Sequence, residues 1–122
     1  MKKNTFDPAV FSESNDPIGA FCDQLLILSG LNELPEDFKQ TYLTQLRQEV
    51  IRRIGLIALA HLDNETVERL IMELRDPKKN KSILAKIKEK IQNFDDKMAS
   101  ALDEFANTFV TSVQKSLAQS GL

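Results

Sequence analysis

Nucleophilic and acid–base chemistry at neutral pH draws first on thiols and imidazoles, and this 122-residue sequence has one of each, Cys22 and His61. A thiol becomes reactive where a cationic or polar neighbour stabilises the thiolate. Cys22 falls instead in a row with Ile18, Phe21, Leu25 and Leu28, spaced by three and four. An inert thiol on the apolar side of a helix is therefore expected, and Asp23 beside it would only raise its pKa. His61 stands between Ala60 and Leu62 near an expected helix end. An imidazole donating to a backbone carbonyl is the plain reading there, and a general base is the alternative.

Metal chemistry finds no better footing. A single cysteine excludes an internal disulfide and any multi-cysteine zinc or iron–sulfur site, and a single histidine excludes two-histidine motifs. Carboxylate-bridged metal bundles ordinarily draw on Glu-x-x-His pairs, but the residue three before His61 is Ala58. The four glycines are single and scattered, so no phosphate loop, nucleophile elbow or dinucleotide fingerprint is formed. The expectation is a non-enzymatic protein without cofactor or metal.

Charge is the most uneven feature. Residues 1–74 carry seven Lys and Arg against twelve Asp and Glu, residues 75–92 carry seven against two, and residues 93–122 carry two against four. The basic block is Arg75, Lys78, Lys79, Lys81, Lys86, Lys88 and Lys90. Its residues 86, 88 and 90 would form the wet side of a helix whose apolar side is Ile83, Leu84, Ile87 and Ile91. A solvated face is one reading; an electrostatic contact with RNA, DNA or anionic lipid is the other. With lysine and almost no arginine or aromatic on its polar side, the block could hold a phosphate backbone without reading bases.

A second candidate is the row Phe94, Met98, Leu102, Phe105 and Phe109, continued by Val113 and Leu117, with Ala99, Ala101 and Ala106 offering close approach. Packing within the monomer and a seam for a partner helix, even from a second copy, are both open. A protein partner or self-association is expected, with nucleic acid as the lesser possibility.

The elements that would position these groups are marked by punctuation. Residues 1–15 show neither helical nor alternating period and read as a flexible arm. From residue 16 to 122 the chain reads as one helical domain. Asp16 is an N-cap with Pro17 at the first helical position, and Gly30 a left-handed C-cap, giving a first helix over about 17–29. Leu26 and Ile27 widen its stripe, so it should be largely buried. Pro35, Glu36 and Asp37 open a second over about 35–61, with Phe38, Tyr42, Leu46, Val50, Ile54 and Ile57 as one face; Gly55 within it calls for a tight neighbour or a bend. Asp63 caps a third over about 64–75, stapled by Leu62 and Val67. Two more, about 80–92 and 95–119, are separated at Asn93-Phe94-Asp95-Asp96, since one helix of that combined length would be unusual. No segment alternates as a strand does. The fold class expected is all-α, a compact bundle of four or five helices with a flexible N-terminal arm.

The longest apolar run, Ile54 to Ala60, is far short of the ~20 residues that span a bilayer. Met1-Lys2-Lys3 is followed by polar residues rather than an apolar core. The lone thiol suits a reducing interior, and a cytoplasmic location is the expectation. Ser29-Gly30-Leu31, Leu34-Pro35-Glu36, Arg53-Ile54-Gly55 and Leu62-Asp63-Asn64-Glu65 together resemble a bacterial family of small helical domains of unknown function, best represented in candidate-phyla bacteria. The resemblance spans about residues 25–74. It implies a helical domain in a bacterium and brings no catalytic or binding residue with it.

Overall fold

The computed structural model describes residues 15–119, with side chains through residue 116. Among them are five α-helices and no strand: α1 Pro17–Ser29, α2 Glu36–Leu59, α3 Asn64–Leu74, α4 Asn80–Lys90 and α5 Phe94–Gln119, with a 3-10 turn at Leu31–Glu33. The all-α bundle expected from the sequence is what the chain forms. The arm expected over residues 1–15 lies, but for Asn15, outside the described residues.

Local chemistry sets the helix ends. Asp16 accepts the N–H of Gly19 at 3.0 Å, and Gly30, at φ 84°, closes α1 by donating to the carbonyls of Ile27 and Leu26. The Pro35 carbonyl accepts the N–H of Lys39, so α2 begins one residue later than expected, and it ends two earlier, where the Ala58 carbonyl takes the N–H groups of both His61 and Leu62. Asp63 accepts the N–H of Thr66 at 2.7 Å. α4 ends where Ile91 turns to extended backbone, and the break before α5 is at Asn93, whose φ of 60° no helix can contain. Asparagine tolerates that region better than most residues.

α1 is the hub. It packs against α2, α4 and α5, while α3 bridges α2 and α4. Ile18, Phe21, Leu25, Val50, Ile54, Leu74, Ile87, Ile91, Phe94 and Leu102 are essentially solvent-free, each worth roughly 1.5–3 kcal/mol of burial. At Gly55 an added Cβ would lie 2.8 Å from Cδ1 of Ile71. The choice left open by the sequence is thus answered by close approach: α3 seats Ile71 on the gap in α2.

Two apolar expectations need correction. Ile27 is 61% exposed: it lies two residues from Leu25, hence about 200° round the helix from the buried row. Phe38 is 59% exposed. A row spaced by four drifts about 40° per step, so by the time it runs back from Leu46 through Tyr42 it has left the core side.

Candidate interaction surface

The polar centre of the molecule is the Asp16 carboxylate. Besides capping α1 it accepts from both terminal nitrogens of Arg47 on α2, Nη1 to Oδ1 at 3.3 Å, and from Nδ2 of Asn80, the first residue of α4, at 2.7 Å. Asn80 is wholly buried, and its Oδ1 has no hydrogen-bond partner among the described residues. Gly19 leaves the space this requires, since a Cβ there would collide with Oδ2 of Asp16. One carboxylate thereby ties together α1, α2 and α4. The sequence marked Asp16 as a cap and gave no sign of Arg47 or Asn80, which lie 31 and 64 residues away.

Beside this node a cleft of about 390 Å³ is lined by Asp23, Gln40, Thr44 and Arg47, with Cys22 at its inner wall. Burial pushes the Cys22 thiol up to about 12, with Arg47 opposing and Asp23 and Asp16 adding to the rise. A thiol so disposed stays protonated and unreactive at neutral pH. Partial burial also raises the Asp23 carboxyl above the usual range, Arg47 again opposing. His61 is exposed in the turn between α2 and α3. Among the described residues no three of His, Cys, Asp and Glu are placed to hold a metal ion, and no helix is long and apolar enough to cross a membrane.

Arg75, Lys78, Lys79, Lys81, Lys86, Lys88 and Lys90 are all exposed. They do not form one stripe. At 100° per residue Lys79, Lys86 and Lys90 fall on one flank of α4, with Lys81 and Lys88 on the other. Lys88 is occupied, its Nζ 2.8 Å from Oδ2 of Asp95 across the α4–α5 turn, and that hydrogen bond holds its pKa above the ordinary value. Lys78 and Lys81 border a groove of about 650 Å³ with Pro77, Ser82 and Ala85.

The row on α5 is core. Phe94 is 1% exposed, Met98 7%, Leu102 0% and Phe105 9%, and Phe109 is half-buried with its ring 6.1 Å from that of Phe105. Arg53 of α2 lies over the Phe105 ring at 4.8 Å. The seam for a partner helix considered at Phe94, Met98, Leu102, Phe105 and Phe109 is therefore corrected: α1, α2 and α4 of the same chain cover it.

Besides Ile27 and Phe38, the large apolar side chains exposed among the described residues are Leu56 (53%), Leu59 (45%) and Met72 (69%). The four-residue link from Ala60 to Asp63 returns α3 antiparallel along α2. With Gly55 set against Ile71, the next residue in each helix, Leu56 and Met72, emerges on the same outer flank. The sequence signal was available: Leu56, Leu59 and Met72 stand off the buried rows of their helices. Comparison with protein-family models, with curated proteins and with solved structures found no match to this chain.

Proposed function

We propose that this chain is a non-enzymatic protein–protein interaction module, working in the cytoplasm and docking through the outer flank of the α2–α3 hairpin. The observation that carries the reading is the exposure of Leu56, Leu59 and Met72 together on that flank, an apolar patch that a partner would take out of water. Two further facts support it. The one thiol is buried and held protonated, and the one imidazole stands in an exposed turn, so neither is set up for catalysis.

The test is covalent capture in the native cell with a photoreactive residue in place of Met72, compared with the same residue in place of Lys115. A discrete protein adduct at position 72, lost in Leu56→Asp, is expected. Equal adducts at both positions, or none at position 72, would count against the reading.

A second reading rests on one specific feature. Lys78, Lys79 and Lys81 gather at the N-terminus of α4, where the first turn has no acidic residue and the helix dipole is already positive. A ribosome- or nucleic-acid-associated role through this segment predicts RNA binding that weakens steeply with salt. Charge reversal at Lys78 and Lys81 should then abolish it.

A further inference from the structure

We infer that the partner seated on the α2–α3 flank is a second copy of this chain, related by a two-fold axis that passes close to Met72. This rests on the reading of the flank as a docking surface and goes on to name its occupant.

The argument is one of self-complementarity. Along α3 the exposed residues Glu65, Glu68, Met72 and Arg75 recur at three, four and three, the spacing of a helix–helix seam. The seam is acidic at one end, apolar in the middle and basic at the other. α2 continues the basic end and the apolar middle beside it, because antiparallel packing sets exposed Arg52 near the Arg75 end and Leu56 near the middle, while at the acidic end it offers exposed Leu59 and no carboxylate. Arg52 already pairs with Glu49 in its own helix, so Arg75 carries more of the basic end. Glu68 lies four residues before Met72 and Arg75 three after it, nearly equidistant along the axis. Turning one copy over about Met72 therefore brings Glu68 of each against Arg75 of the other, and Met72 and Leu56 against their own counterparts. A surface antisymmetric in charge about an apolar centre fits itself, which is the defining property of an isologous interface. The flank is narrow compared with the ~800 Å² per partner of a standard interface, so the dimer is weak, forming at tens to hundreds of micromolar.

Sedimentation velocity on the full chain up to about 500 µM should show a reversible monomer–dimer equilibrium. Met72→Asp should weaken dimerisation at least tenfold with the melting temperature unchanged, since Met72 is 69% exposed. Arg75→Glu alone and Glu68→Arg alone should each do the same, and an equimolar mixture of these two variants should recover a dimer, because each then faces its opposite charge. A wild-type chain that stays monomeric, a dimer indifferent to Met72→Asp, or a mixture no better than its components would overturn the inference. A monomer whose position 72 still captures another protein would sink the second copy and leave the docking flank standing; a monomer that captures nothing would sink both.

Discussion

Replacing Asp16 by alanine removes a carboxylate shared by three helices, and the cost of losing three of its contacts can be worked out. As N-cap the carboxylate accepts the Gly19 N–H, and loss of such a cap costs about 1 kcal/mol. Its bond from Asn80 Nδ2 is harder to replace. Asn80 has no exposure to water, so an amide hydrogen is left unpaired at about 1–3 kcal/mol. The pair with Arg47 adds little. Both side chains keep about a third of their surface in solvent, which limits that contribution to under about 1 kcal/mol. The sum is about 2–5 kcal/mol, and at roughly 3–6 °C per kcal/mol for a chain of this size the melting temperature should fall by about 6–30 °C. Urea unfolding followed by circular dichroism would give the loss as a shift in midpoint with the slope unchanged. Asn80→Ala measured alone and combined with Asp16→Ala completes a cycle, and a coupling of at least about 1 kcal/mol is expected. A loss below 1 kcal/mol, or costs that simply add to within about 0.5 kcal/mol, would refute the claim that one carboxylate fastens α4 to α1.

Other expectations follow from the same packing. Gly55→Ala gains about 1 kcal/mol of helix propensity but sets a methyl against Cδ1 and Cγ1 of Ile71; Ile71→Val removes the closer of these contacts, so more of the gain should appear in that background than in the wild type, as a larger rise in urea midpoint. Cys22 should label with a thiol-specific disulfide reagent in native buffer only as fast as the protein unfolds, and prompt stoichiometric labelling would contradict its burial. With the folded thiol pushed up to about 12 against 9.0 for a free one, its stabilising contribution is present below pH 9 and lost as pH rises from there towards 12; Cys22→Ala should flatten the alkaline fall in melting temperature. Asp63 is the opposite case, its carboxyl held low by the Thr66 N–H, so its contribution is present above the unfolded carboxyl's range and lost as pH falls through the folded one. Asp63→Asn keeps a capping oxygen but titrates nothing, and should lose less melting temperature between about pH 6 and about pH 2.

What could be read from the sequence was local. Asp16, Gly30, Asp63 and Asn93 mark helix ends because a cap acts on backbone within three or four residues of itself, a distance the sequence displays directly. What could not be read was relational. Nothing near Arg47 distinguishes it from Arg52 and Arg53, yet Arg47 reaches across to Asp16 while the other two turn back on Glu49. Asn80 reads as the first residue of a helix beside a run of lysines, and only the docking of α4 on α1 buries it. Phe94, Met98, Leu102, Phe105 and Phe109 gave a helical row whose covering depended on where three other helices lay. Phe38 and Ile27 are exposed for a simpler reason: each is apolar but sits at an angle round its helix that faces away from the core.

The covered row on α5 and the bare flank on the hairpin have one origin, the mismatch between α1 and α2. α1 has 13 residues and α2 has 24, so α1, about 20 Å long, can shield only part of its neighbour. Arg47 meets Asp16 where α1 begins, and beyond that point α2 projects past it. Ile51, Ile54 and Ala58 on the projecting half are nonetheless buried, because α3 lies against it and α5 closes over it, Arg53 resting on Phe105. α3 spends Val67, Leu70 and Leu74 on that closure, and no described element remains to lie over the opposite side of the pair. Folding and docking therefore use different residues of the same short helix. Leu70→Asp should unfold the chain, whereas Met72→Asp should leave its thermal midpoint where it was. A loss of fold from the second substitution would mean that the outer flank belongs to the core, and the surface assigned to a partner would have to be sought elsewhere.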